Sequence, residues 1–185
     1  PASRENISYL LELREKHANL ILLAGNHENH PVAECRPCDF WDGLSRDEYE
    51  AYRAAFLTMP LAVAGNGFIA LHGVLPDVAA AAAFDDIAVG DANWYRIVWG
   101  DFRDREGEYL GDFLGRPKYG RAYFARIMKA LRKNVLVRSH DPLAPHTMFD
   151  GRCLTIFTSS AYGRRREIAL ADLSRTVSSA ADMET

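Results

Sequence analysis

Three short apolar runs in this chain each end on a residue that can bind a metal ion or a phosphate, and this repetition constrains the fold more than any other feature. Leu20-Ile21-Leu22-Leu23 passes through Ala24-Gly25 into Asn26-His27, Phe68-Ile69-Ala70-Leu71 runs into His72, and Val135-Leu136-Val137 runs into Arg138-Ser139-His140. Short aliphatic runs bounded by turn formers read as buried strands. Polar residues at the ends of such strands are where α/β folds build their sites. A single histidine after a strand is ordinarily a satisfied structural residue. Three of them, each with a glycine or arginine alongside, point to one shared site.

The segments between these runs supply helices. Ser3 stands where it can cap a helix over residues 3–16, with Ile7, Leu10 and Leu11 on its buried side. Ser45-Arg46-Asp47-Glu48 is a capping box, serine with glutamate three positions on, and predicts a helix to about residue 58. Pro60 ends it. The apolar runs at 61–64 and 68–71 flank Gly65-Asn66-Gly67, which predicts a β-hairpin. Residues 85–118, rich in Asp, Gly and aromatics, read as irregular. Phe124, Ile127, Met128 and Leu131 recur at helical spacing within 121–133. Strands at 154–157 and 168–170 complete the set, and after Ser174 the chain reads as polar and frayed. With no repeat and no linker, the expectation is one α/β domain over residues 1–172 and a polar tail over 173–185.

Composition excludes several classes of function. A formal net charge of −3 provides no global field for nucleic acid or an anionic membrane. An anionic ligand would need local positive charge, from metals and a few arginines. No apolar run approaches bilayer-spanning length, and the first residues lack the layout of a signal peptide. Cys35, Cys38 and Cys153 cannot all pair. Cys35-Arg36-Pro37-Cys38 is a lone C-x-x-C, open to redox chemistry or half of a zinc site, but a reduced cytoplasmic protein is the simpler reading.

An asparagine carbonyl oxygen and neutral imidazole nitrogens are reasonable ligands for a first-row metal, so Asn26, His72 and His140 form a candidate three-ligand set. No carboxylate joins them from the same runs, since Glu28 lies beyond His27. Here a resemblance enters. Gly25-Asn26-His27-Glu28 is the G-N-H-E motif of the serine/threonine protein phosphatase family, the calcineurin-like metallophosphoesterases. Further blocks follow in that family's order. Leu71-His72-Gly73-Val74-Leu75-Pro76 is similar to its H-G-G-L-S-P, Val98-Trp99-Gly100-Asp101 to its L-W-S-D, Val137-Arg138-Ser139-His140 to its R-x-H block, and Thr158-Ser159-Ser160-Ala161-Tyr162-Gly163 to its S-A-P-N-Y segment. Val74 and the Ser160-Ala161 pair depart from those patterns and suit a bacterial-type member.

The resemblance implies a helix-flanked, two-sheet α/β sandwich and hydrolysis of phosphate monoesters, chiefly phosphoserine and phosphothreonine on proteins. It implies two divalent ions, manganese with iron or zinc as alternatives, which activate a bridging hydroxide and clamp the phosphoryl oxygens. Asn26, His72 and His140 match ligands of the second ion, His27 matches the general acid, and Tyr162 matches a site-lining tyrosine. Arg116 is the candidate for the phosphate-binding arginine, with Arg121 as the alternative. His17, His30 and His146 belong to no block and read as surface, and Arg164-Arg165-Arg166 reads as a solvated basic run. The family's two earlier motifs, G-D-x-H-G and G-D-x-x-D-R-G, do not occur in this sequence. The expectation is therefore a chain that begins after them, lacks the first strands and helix, and is inactive by itself. Phosphorylated proteins or small phosphoesters are the expected partners, with no nucleic acid and no membrane. A diadenosine tetraphosphatase-like hydrolase and a non-catalytic phosphoprotein-binding module are the alternatives.

Overall fold

The structure, a computed structural model, describes residues 2–159, 162–163 and 166–185. Helix α1 spans Ser3–Lys16 and α2 spans Arg46–Leu57. The hairpin β1 (Ala62–Ala64) and β2 (Phe68–Leu71) follows, then α3 (Ala92–Trp99) and the strands β3 (Asp101–Phe102), β4 (Tyr109–Phe113) and β5 (Arg116–Tyr119). Helix α4 (Arg121–Leu131) leads into β6 (Val135–Arg138), β7 (Thr147–Met148) and β8 (Cys153–Thr155). Two mixed sheets result, one ordered β1-β2-β6-β8-β7 and a smaller one ordered β3-β5-β4. Among the described residues, no helix is long and apolar enough to cross a membrane.

The capping box at α2 forms as its sequence dictates: the Glu48 N–H donates to Ser45 Oγ, and Glu48 Oε2 accepts from the Ser45 N–H at 2.8 Å. Ser3 behaves differently. It is the first helical residue rather than the cap, and its hydroxyl donates to Asp39 Oδ2 at 2.6 Å, tying α1 to the loop beside the site.

Period-2 alternation on β2 and β6 divides the core between the two faces of the larger sheet. Ile69, Leu71 and Leu136 face α3, α4 and the smaller sheet, in a cluster with Ile97, Phe102, Phe124 and Ile127. Phe68, Ala70, Val135 and Val137 face the other way, onto Leu154, Val177, Ala180 and Met183. A third cluster of Ala24, Phe40, Trp41, Phe56 and Met59 joins α1 and α2 to the loop after Asn26.

Several expectations are corrected. Residues 20–23 form no strand; Ile21 is half exposed, and the Ala24 N–H reaches the Pro60 carbonyl at 3.0 Å. An apolar run becomes a strand only where a ladder partner lies alongside, which hydropathy does not reveal. Residues 85–118 are ordered rather than irregular. Asp91 caps α3 by accepting from the Trp94 N–H at 2.7 Å, and Trp94, Ile97 and Val98 give that helix a buried stripe. The anticipated strand at 168–170 is reduced to one bridge, Leu170 to Glu184.

The tail is not frayed. Val177, Ala180 and Met183, spaced every third residue, are buried against β6 and β8. The Val177 N–H donates to Asn66 O at 3.0 Å, Asn134 Nδ2 donates to Val177 O at 2.9 Å, and the Val177 backbone occupies the space a side chain on Gly67 would need. Gly67 has a φ of 87°, so both its conformation and its neighbour require glycine. Removing residues 176–185 is expected to lower the chemical-denaturation midpoint sharply. Met183→Ala alone should cost about 2 kcal/mol, the low end for a buried methionine. An unchanged midpoint in both variants would show that the segment only rests on the sheet.

Candidate functional site at the strand ends

Parallel pairing of β2 with β6, Ile69 opposite Leu136 and Ala70 opposite Val137, brings the two strand ends side by side. The Ser139 N–H then donates to the His72 carbonyl at 3.1 Å, so His72 and His140 leave adjacent strands together. Asn26 arrives from a braced turn. Gly25 N–H donates to Glu28 Oε2 at 2.9 Å, and Asn29, itself buried, sends both its backbone N–H and its Nδ2 to the Gly25 carbonyl. A Cβ on Gly25 would lie 2.7 Å from His72 Nδ1, so the glycine of this motif lets the imidazole close on the turn.

Three donor atoms converge as a result. His72 Nε2 lies 2.8 Å from Asn26 Oδ1 and 2.9 Å from His140 Nδ1. An Nε2 proton serves only one of those two neighbours, so a shared cation satisfies the set better than any single tautomer. Burial holds the His72 pKa well below the ordinary histidine value, and the neighbouring His140 lowers it further by disfavouring a second charge beside it. His140 is pushed down to about 3, by burial first and then by the Arg116 and Arg138 guanidinium groups. Both imidazoles are therefore neutral at physiological pH, the form that ligates metals. His140 also has a left-handed backbone, φ 63°, a conformation that costs a non-glycine residue about 1–3 kcal/mol and that clusters at functional positions. The residues fit a first-row divalent ion, but only with the amide oxygen included. Among the described residues, no group of three His, Cys, Asp or Glu side chains is placed to hold one.

A cavity of about 920 Å³ opens over these atoms, and Asn26, His27, His72, Arg116, His140 and Tyr162 all line it. Arg116 grips Asp101 bidentately, Nε to Oδ2 at 3.0 Å and Nη2 to Oδ1 at 2.9 Å, which leaves the Nη1 edge to meet a ligand. Arg121 is committed elsewhere, to Asp104 at 2.6 Å and Asp150 at 2.9 Å, and is not part of the wall. Tyr162 is half exposed and meets Phe157 edge-on at 5.8 Å. Ser160, Ala161, Arg164 and Arg165 lie outside the described residues, while Arg166 and Arg36 add positive charge to the wall. Of the histidines read as surface, His30 is instead stacked on Trp41 at 5.9 Å.

Sequence reasoning placed no role on Asp101, although its block, Val98-Trp99-Gly100-Asp101, was recognised. It is almost wholly buried, holds Arg116, lies 3.6 Å from Arg103 Nη2, and approaches His140 Nε2 to 3.9 Å. Among the described residues that nitrogen, like both Nη atoms of Arg138, is buried with no well-formed hydrogen bond, although the Trp99 backbone lies near enough to act on the ring. A carboxylate behind an imidazole fixes ring orientation and raises ligand basicity. The signal, visible in retrospect, is an aspartate directly after an apolar helix and at the start of a strand.

The depressed histidine values fix the sign of an acid effect on the metal-free protein. Unfolded histidine titrates near ~6.5, and folded His140 only at about 3. Between those values the unfolded state binds more protons, so stability is complete above pH ~6.5 and falls as pH drops toward 3. The loss should reach a few kcal/mol in order of magnitude and should shrink in His140→Gln. Equal pH slopes for the two proteins would sink this account.

No protein-family model matches the chain, and no curated protein matches it. Among solved structures, the chain is similar to a serine/threonine phosphatase from Saccharomyces cerevisiae with similarity to human phosphatase PP5, at a TM-score of 0.68 and 21% identity. The likeness covers 83% of this chain and 52% of that one, so the chain spans about half that protein's length. The α/β phosphatase fold expected from the ordered motifs is the fold observed.

Proposed function

We propose that this chain forms part of a metal-dependent phosphate monoesterase whose substrates are phosphoserine and phosphothreonine esters on proteins. The observation that carries this reading is the convergence of Asn26 Oδ1, His72 Nε2 and His140 Nδ1 within 2.8–2.9 Å contacts at the floor of a cavity that also presents His27 and Arg116. The similarity to a phosphatase supports the scaffold, and the family resemblance of the motifs supports the chemistry.

Asn26, His72 and His140 would hold one divalent ion, manganese being the first choice. Bound divalent ions supply Lewis-acid neutralisation of phosphoryl oxygens and a hydroxide nucleophile at neutral pH. The remaining work falls to side chains. The free edge of Arg116 binds the phosphoryl group with its plane set by Asp101, because guanidinium offers paired donors in a fixed fork. His27, on the cavity wall, acts in its protonated form, giving a ring proton to the departing serine alkoxide and returning to neutral imidazole. Without that proton the leaving group would be strongly basic, and general acids at such positions contribute about 10²–10⁴ in rate. Tyr162 lines the same cavity.

Titration of the 185-residue chain with Mn²⁺ by calorimetry should show one bound ion, lost in His72→Ala and in His140→Ala. In the natural full-length protein, His27→Ala should lower kcat on a phosphoserine peptide by about 10²-fold or more. Absence of metal binding and of turnover would favour a phosphoprotein-binding module. Preferential cleavage of diadenosine tetraphosphate would move the substrate to the dinucleoside polyphosphates.

A further inference from the structure

Behind His140, two arginines stand within reach of one oxygen atom. Both oxygens of Asp101 are taken by the Arg116 fork, Oδ2 by Nε at 3.0 Å and Oδ1 by Nη2 at 2.9 Å. Arg103 Nη2 lies 3.6 Å from that same Oδ2, too far for a hydrogen bond and near enough to close on it. Its other terminal nitrogen holds it back. Arg103 Nη1 donates to Asp141 Oδ2 at 2.6 Å and to the Phe102 carbonyl at 2.9 Å. Asp141 is itself fixed by its turn: Oδ1 accepts the Leu143 N–H at 3.0 Å, and its own N–H donates to the Ser139 carbonyl at 2.8 Å. The backbones are held as well, since β3 pairs with β5, Asp101 opposite Lys118 and Phe102 opposite Tyr119. Arg138 also acts on Asp141 but is wholly buried, whereas Arg103 is 35% exposed and has room to swing.

We infer that Asp141 is a positioning residue for Arg116: by holding Arg103 at its own Oδ2, it leaves both oxygens of Asp101 to the Arg116 fork. A guanidinium bound at two points has its plane fixed, whereas one bound at a single point pivots about it. A second guanidinium closing on Asp101 Oδ2 would draw the carboxylate round and loosen Arg116 Nε, and the free Nη1 edge of Arg116 would lose its direction. Both carboxylates are almost wholly buried, 2% exposed for Asp101 and 5% for Asp141, so water competes little for them and the allocation of partners matters more. Neither Arg103 nor Asp141 lines the cavity, so their effect reaches a ligand through Asp101 and Arg116. Relevance to catalysis rests on the phosphate-binding role proposed for Arg116; the division of two carboxylates between two arginines does not.

Nitrogen-15 spectra of the arginine side chains in the 185-residue chain report on the fork directly. The Arg116 Nε–H should exchange slowly with water in the wild type. Asp141→Asn keeps the acceptor for the Leu143 N–H but releases Arg103, and should speed that exchange about tenfold, the worth of one charge-assisted hydrogen bond. Arg103→Gln alone should leave the exchange near its wild-type rate. Adding Arg103→Gln to Asp141→Asn should restore slow exchange, a repair that a merely structural role for Asp141 does not produce. Unchanged exchange in Asp141→Asn, or a double variant as fast as the single one, overturns the inference. So does a wild-type crystal structure with Arg103 hydrogen-bonded to Asp101 Oδ2, a test that requires no variant to fold. Loss of Mn²⁺ binding in Asp141→Asn that the double variant does not recover would assign Asp141 to its neighbour His140 and overturn it too. In the natural full-length protein, kcat/KM on a phosphoserine peptide should fall about tenfold in Asp141→Asn and return in the double variant. A loosened fork with kcat/KM unchanged would retain the restraint by Asp141 and overturn the phosphate-binding role of Arg116. A wild type without turnover would overturn the phosphatase reading and leave the exchange result standing.

Discussion

Parallel pairing between β2 and β6 is the constraint on which the rest depends. It fixes the Ser139 N–H on the His72 carbonyl, so two imidazoles distant in sequence emerge side by side from adjacent strand ends. Register here is enforced by the core. Moving β6 by one residue would turn Leu136 away from Ile97 and Phe124 and present Val135 and Val137 to the wrong face. Because both faces of the sheet are covered, slippage is penalised from both sides. The buried C-terminal segment thus belongs to the same argument as the site: Val177 and Met183 seal the face opposite α4 and hold the strand that carries His140.

The site is expensive in local terms. His140 adopts a left-handed backbone, its Nε2 and both Nη atoms of Arg138 are buried with no well-formed hydrogen bond among the described residues, and Gly25 sacrifices a side chain so that His72 can approach. Each of these lowers stability, by about 1–3 kcal/mol for an unsatisfied or strained group. Three apolar clusters and the braced Asn26 turn offset them. Such costs, concentrated where three donor atoms meet, mark the cavity as a place where stability was exchanged for function.

The legible and illegible parts of this chain divide along a physical line. Interactions local in sequence were readable: the Ser45–Glu48 capping box, the Gly65–Gly67 hairpin, and the apolar stripe of α4. The position of the six candidate residues was readable as well, since their motifs fix type and order and all six line one cavity, a matter of placement and not of role. Outcomes set by distant partners were not readable. Residues 20–23 carry strand-like hydropathy yet lack a ladder, whereas 85–118 looked irregular because its helix and strands are short and interrupted by glycine and charge. Asp101 escaped for a similar reason. Its importance comes from what it touches, Arg116 and His140, and neither contact is local in sequence.

Asp101 also bears on how an anion would be held. Arg116 and Arg103, two of the guanidinium groups nearest the histidines, are tied to Asp101 and Asp141, so much of their charge is already matched within the wall. In the proposed site Arg116, the one of the two that lines the cavity, would orient a phosphoryl group more than attract one. Their charge does act on His140, where Arg116 helps to keep the ring neutral and its lone pair free. In the proposed site, a phosphate dianion would be attracted by Arg36 and Arg166 in the wall and by a cation seated among Asn26, His72 and His140. On the proposed reading the arginine–aspartate pair and the neutral imidazoles are two halves of one arrangement: one would set geometry, and the other would leave room for a cation.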